Sequence, residues 1–199
     1  MSLPDIILAS GSASRRALLA NAGVSAEAVS PYIDEAPIRD RMRAENIPIR
    51  DQAMKLAELK ALKVSQGRAG LVIGGDQMLA LNGLAFDKPR DLAEARTHLE
   101  ALSGQSHHLE TAIVAAENGQ IVWKHLARPK LTMRPLSAEF ITFYIDQCGE
   151  ALLQTVGAYQ LESLGSQLFS GIEGDYFSIL GLPLLPLLDY LRERGLLVL

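Results

Sequence analysis

Leu71-Val-Ile-Gly-Gly-Asp-Gln-Met-Leu-Ala-Leu-Asn-Gly-Leu-Ala-Phe86 decides the fold class. Leu71–Ile73 is a short apolar run of the kind found in buried strands, and it leads into Gly74-Gly75-Asp76. Asn82-Gly83, set between Met78–Leu81 and Leu84–Phe86, is a two-residue hairpin signal. Asn118-Gly119, between Ala112–Ala116 and Ile121–Trp123, repeats it. Antiparallel strands are therefore expected. Helical patterns flank these strands. Upstream, Ala53, Leu56, Ala57, Leu59, Ala61 and Leu62 fall mostly at helical spacing within Ile49–Gln66, which Gly67 stops. Downstream, Asp91 and Glu94 form a capping box ahead of Leu92–Leu102, with Ser103-Gly104 as the stop. Ser137 starts Ala138–Gln147, which Gly149 closes, and Pro183–Arg194 has a first-turn proline, a leucine face and terminal arginines. At the other end, Asp5–Ala9 reads as a strand, Ser10–Ser14 as a loop, and Arg15–Ala22 as a helix stopped by Gly23. Helices alternating with strands and hairpins predict an α/β fold around a mixed sheet, with 1–199 as a single domain.

Composition narrows the function classes. Of 199 residues, 48% are hydrophobic and 21% charged, and 16 glycines with 9 prolines are near average usage, so disordered and collagen-like readings are excluded. Nineteen Lys and Arg against 23 Asp and Glu give a net charge of −4, which supplies no bulk field for a long nucleic acid. Any cationic site must be local. Cys148 has no second cysteine to pair with, and His98, His107, His108 and His125 lack zinc-ligand spacing. The first residues carry no basic run or long apolar core, and Phe177–Leu188, interrupted by Pro183 and Pro186, is too short to span a bilayer. A cytoplasmic protein with no membrane partner is expected.

Four places carry chemistry. Leu8-Ala-Ser-Gly-Ser-Ala-Ser-Arg-Arg-Ala-Leu-Leu19 runs strand, loop, helix, so unpaired N–H groups and the helix dipole favour an anion there. Arg15 and Arg16 oppose that dipole unless an anion such as phosphate resolves the conflict; a serine-capped surface helix with solvated arginines is the alternative. Asp34-Glu35, after Tyr32-Ile33, offers hard oxygens to Mg²⁺ or Mn²⁺, or forms a solvated acidic turn. Asp76 reads as a carboxylate at the end of an apolar strand, either catalytic or closing an Asx turn, and Lys88 after the hairpin could neutralise a phosphate or sit in solvent. Glu162, Glu173 and Asp175 stand among small-residue turns, while Tyr159, Tyr176 and Trp123 serve either base stacking or packing.

Taken in order, these segments resemble the Maf family of nucleoside triphosphate pyrophosphatases over nearly the whole chain. The resemblance is carried by Leu8–Arg16, Asp34-Glu35, the helix bearing Lys55 and Lys60, and Gly74-Gly75-Asp76. Lys88-Pro89, Leu102-Ser-Gly104, Gly157-Ala-Tyr159, Ile172-Glu-Gly-Asp175 and Gly181-Leu-Pro183 continue it. It implies an elongated mixed sheet flanked by helices, as in inosine triphosphate pyrophosphatases. It also implies an acid-anhydride hydrolase that cuts a nucleoside triphosphate to the monophosphate and pyrophosphate with Mg²⁺ or Mn²⁺. Asp76 would be the base, with Glu35 and Lys88 beside it in catalysis. Ser10, Ser12, Arg15, Arg16, Lys55, Lys88 and Glu162 would bind phosphate or substrate, and Glu35 and Asp76 the metal.

Departures from the family pattern point to one branch. Ala13 replaces the usual proline with one further residue before the arginines, Gln77 follows the Gly-x-Asp, and Glu162 stands where the dTTP/UTP branch has Gln. The chain thus looks closer to the 7-methyl-GTP branch. The acid that often precedes the Gly-Ala-Tyr segment is missing, with Leu152-Leu-Gln-Thr155 in that stretch. The resemblance further suggests a homodimer. A second reading, a nucleotide-binding regulator of cell division that works through protein partners without turnover, also comes with the family.

Overall fold

The computed structural model describes residues 6–198. The expected strand start at Asp5 and the features of the first residues lie outside them. The elements run β1 (Ile6–Ala9), α1 (Ala13–Asn21), β2 (Glu27–Ala28), α2 (Glu35–Ala44), α3 (Ile49–Ser65), β3 (Leu71–Leu81), β4 (Leu84–Phe86) and α4 (Leu92–Leu102). They continue as β5 (Ser106–Glu117), β6 (Gln120–Ala127), β7 (Lys130–Met133), α5 (Ala138–Cys148), three short 3₁₀ turns between Gly149 and Leu168, β8 (Phe169–Glu173), α6 (Tyr176–Ile179) and α7 (Leu184–Glu193). The strand order is β2-β1-β3-β5-β7-β8, with β4 on β3 and β6 on β5. β1 pairs in parallel with β2 and β3, whereas the β3–β4, β5–β6, β5–β7 and β7–β8 pairs are antiparallel. The sheet is mixed, as the hairpin signals imply.

The chain forms two compact units. One comprises residues up to Asp76, Thr111–Ala127 and the segment from Gly181 onward; the other comprises Gln77–Glu110 and Arg128–Leu180. β3 and β5 each pass from one unit to the other.

In the first unit α3 buries Ala53, Leu56, Ala57, Ala61 and Val64. Ile7, Ala9, Val64 and Val72 form one apolar cluster there. Gly74 explains the close approach of helix and strand. A Cβ at this position would lie 2.4 Å from the Ala57 carbonyl oxygen and 2.7 Å from the Ala61 amide nitrogen, both backbone atoms of α3. Because the glycines make room for a neighbour and do not break the strand, β3 runs unbroken for 11 residues. Asp76 therefore sits inside a strand, not at the strand end that its flanking glycines suggest.

The second unit has its own core, in which Leu79, Leu99, Leu102, Leu109, Tyr144 and Leu168 are almost fully buried. Each such leucine contributes about 1.5–3 kcal/mol relative to exposure. His107 lies within this unit with its Nε2 2.8 Å from the Tyr159 hydroxyl. Both hairpins turn at residues of positive φ, Asn82 (50°) and Gly83 (82°), then Asn118 (51°) and Gly119 (74°). Positive φ at both central positions is the turn whose twist matches paired strands.

Candidate active site

The site grows from the loop between β1 and α1. Ser10 Oγ accepts from the Ser12 amide at 3.2 Å, and Ser12 Oγ caps α1 by accepting from the Arg15 amide at 3.3 Å. Both hydroxyls thus shape the loop. The amides of Gly11, Ala13 and Ser14 donate to no group among the described residues, so the helix start keeps donors available for an anion.

Consecutive residues on a helix point about 100° apart, and the two arginines separate accordingly. Arg15 turns inward, donating from Nε to the Gly181 carbonyl at 2.7 Å and from Nη1 to Ser10 Oγ at 3.2 Å. Gly75 gives it space, since a Cβ there would stand 3.2 Å from Arg15 Nε. Arg16 is exposed and lines a cavity of about 520 Å³ together with Leu8, Leu19, Ala20, Val24 and Ser25.

Asp76 lies close to Arg15. Its carboxylate is buried, with Oδ1 accepting from Lys60 Nζ at 2.6 Å and Oδ2 having no hydrogen-bond partner among the described residues. Lys60 Nζ also stands 2.8 Å from Glu35 Oε1, and Arg39 donates to Glu35 Oε2 at 2.8 Å. One ammonium therefore bridges two carboxylates. Burial pushes the Asp76 carboxyl above its ordinary range, against the opposing pull of Lys60 and Arg15. Burial likewise lowers the Arg15 guanidinium, which the Asp76 and Glu35 charges counter. A buried acid with an unpaired oxygen, a buried guanidinium and an anion-ready helix start can together hold a phosphate and orient a water.

Comparison with known proteins places the chain. The Maf-like protein family matches residues 5–194. The chain belongs to this family. A protein of Hyphomonas neptunium named nucleoside triphosphate pyrophosphatase is 67% identical over 192 residues, covering 96% of this chain and 97% of its own. One of Rhizobium meliloti named 7-methyl-GTP pyrophosphatase is 49% identical over 193 residues, covering 96% and 97%. A solved nucleoside-triphosphatase of Mycobacterium abscessus, described as a dITP/XTP pyrophosphatase, is similar with a TM-score of 0.42 and 17% identity, covering 96% and 94%.

Of the residues expected from the Maf pattern, the first unit brings together Ser10, Arg15, Glu35 and Asp76. Lys55 is not with them: its side chain is 55% exposed and its Nζ is 3.8 Å from Glu58. The lysine that joins the group is Lys60, five residues further along α3, where the helix faces β3. The second unit carries Lys88, exposed after β4, and Glu162, exposed in the turn after Leu161. Two aromatic side chains considered for base stacking are occupied: Tyr159 is buried against His107, and Trp123 stacks on Tyr190 at 4.9 Å. Tyr176 is half exposed and meets Phe177 edge-on.

Among the described residues, no group of three or more His, Cys, Asp or Glu side chains is arranged to hold a metal. Glu35 and Asp76 supply two carboxylates, and the buried Asp76 Oδ2 has no hydrogen-bond partner among the described residues. That set fits Mg²⁺ or Mn²⁺, since Mg²⁺ commonly takes one or two carboxylates and completes its shell with waters and substrate phosphates.

Proposed function

We propose that this chain hydrolyses a nucleoside triphosphate between the α and β phosphates, yielding the monophosphate and pyrophosphate, with a modified nucleotide such as 7-methyl-GTP among its substrates. The observation that carries the reading is the buried Asp76 carboxylate, held by Lys60 on one oxygen and without a hydrogen-bond partner among the described residues on the other. Names borne by the Hyphomonas and Rhizobium relatives support it.

In this reading Asp76 Oδ2 accepts a proton from the attacking water while Lys60 fixes the carboxylate plane through Oδ1. The new P–O bond forms as the anhydride P–O bond to pyrophosphate breaks. Arg15 and the free amides at the start of α1 meet the phosphate charge; Ser10 and Ser12 keep that loop in shape. Arg16, Lys55, Lys88 and Glu162 carry phosphate or substrate roles on the strength of the family pattern. Glu35 and Asp76 would hold the divalent cation, which when bound supplies positive charge to the phosphate oxygens and lowers the pKa of water.

The test is direct. A panel of triphosphates with Mg²⁺ or Mn²⁺ should release pyrophosphate, chelation should stop it, and Asp76→Asn should lower turnover by about 10²–10⁴-fold. Orthophosphate as the sole product would exclude the proposed bond, and full activity in Asp76→Asn would remove the base.

A further inference from the structure

Tyr32 stands apart from every other aromatic residue of its unit. Its side chain is 88% exposed, so its ring packs on almost nothing. Its φ is +45°, in the left-handed region that a bulky side chain disfavours. Pro31 precedes it, and Tyr32 takes the positive φ that glycine or asparagine usually supplies. Neither packing nor a hydrogen bond accounts for a tyrosine here. Backbone strain of this kind persists where it serves a site.

Its position says which site. Tyr32 is three residues before Glu35, whose carboxylate meets Lys60 beside Asp76. Three residues span at most about 10 Å, which bounds the distance of the Tyr32 Cα from that of Glu35. Between them Asp34 occupies the N-cap position of α2, yet its carboxylate makes no bond to the helix. The neighbouring surface thus offers an open aromatic face and an uncommitted negative charge.

We propose that Tyr32 is the platform on which the nucleotide base stacks, and that the ring and the Asp34 carboxylate together favour a positively charged purine such as 7-methylguanine over its uncharged parent. The inference rests on the nucleotide reading of the Asp76 site and adds the base-contacting residue. The physical basis is twofold. An aromatic face binds any base by stacking, and it binds a cationic ring more strongly through the ring quadrupole. A carboxylate alongside adds attraction only for the charged base.

The test is equilibrium binding by calorimetry to the full chain, which does not depend on turnover. The probes are α,β-methylene GTP, its 7-methyl form, and inorganic tripolyphosphate. Tyr32→Leu should weaken the 7-methyl analogue by about tenfold or more, weaken the unmethylated analogue less, and leave tripolyphosphate unchanged. Tyr32→Phe should bind as the parent does. Tyr32→Asn, whose side chain tolerates positive φ, should lose base affinity while its thermal midpoint stays at or above the parent's.

Equal binding of both analogues by parent and Tyr32→Leu overturns the platform, as does absence of binding by the parent. Parallel loss of tripolyphosphate binding, or a midpoint lowered in Tyr32→Asn, assigns the tyrosine a structural role and overturns it too. If the parent binds the analogues but releases no pyrophosphate from triphosphates, the hydrolysis reading fails while the Tyr32 comparison still decides the platform.

Discussion

Replacing Lys60 by Met tests whether one buried ammonium keeps the Asp76 carboxylate charged. Lys60 is 8% exposed and Asp76 6%, with 2.6 Å between Nζ and Oδ1. Removing one partner of a buried pair typically costs about 3–5 kcal/mol. A ceiling exists, because Asp76 can take a proton instead of remaining charged and unpaired. Near neutral pH an ordinary carboxyl would cost about 1.4 kcal/mol for each of roughly three pKa units, or ~4 kcal/mol, and burial, which already raises the Asp76 pKa, lowers this ceiling. The expected deficit is therefore at the low end of that range, about 3 kcal/mol.

The deficit should also depend on pH with a definite sign. Burial already holds the folded Asp76 pKa above its unfolded value. Between those two values the native state binds the proton more readily, so this group's contribution to stability falls as pH rises through that window. Losing Lys60 raises the folded pKa further. The gap between parent and variant should be small below about pH 4, where the unfolded acid is protonated as well, and should widen upward. Urea unfolding across pH measures it. Lys55→Met is the control: half-exposed and 3.8 Å from Glu58, it should cost about 0–1 kcal/mol with little pH dependence. Adding Asp76→Asn to Lys60→Met should recover most of the loss, because the acid no longer needs compensation. A Lys60→Met deficit no larger than that of Lys55→Met, or a double variant no better than the single, refutes the reasoning.

Gly74→Ala should destabilise by about 1–3 kcal/mol or more, since its Cβ would meet α3 backbone atoms at 2.4 and 2.7 Å; urea unfolding with parental stability would show that the helix can retreat without cost. His107 gives a pH response of opposite sign to Asp76. Burial lowers its pKa from 6.5 to about 4, so the unfolded chain takes up the proton first and stability is lost as pH falls across that interval. The slope reaches about 1.4 kcal/mol per unit, and His107→Gln, which keeps a partner for the Tyr159 hydroxyl, should flatten the curve of thermal midpoint against pH.

Where periodicity or turn chemistry is strong, the sequence is easy to read. Both Asn-Gly hairpins turn as expected, α4 occupies Leu92–Leu102 behind the Asp91 cap, and α3 follows its apolar spacing. The unread elements lack such a signal. α2 holds Glu35 to Ala44 with Met42 as its buried residue, so it has no apolar stripe, and Pro37 falls in its first turn where proline is tolerated. β7 and β8 are short, and β8 is mostly exposed, so neither alternation nor apolarity marks it. Gly74 and Gly75 mislead for a different reason. A glycine required by a helix crossing at one face looks in one dimension like a strand breaker.

The same distinction explains the two lysines of α3. Residues 55 and 60 lie about 140° apart around a helix, so they cannot both face β3, and the buried positions Leu56, Ala57, Ala61 and Val64 mark which face does. Lys60 stands directly before Ala61 and three residues after Ala57, on the side where Gly74 touches the helix; Lys55 lies outside that face. The apolar phase of α3 contains the information that selects Lys60. It becomes decisive only with the knowledge that Asp76 is carried inside β3, two residues beyond the glycine against which α3 rests, because alternation along a strand then returns Asp76 to the face that Gly74 presents to the helix. The packing that excludes a Cβ at residue 74 is thus what sets a lysine of α3 against the carboxylate at residue 76.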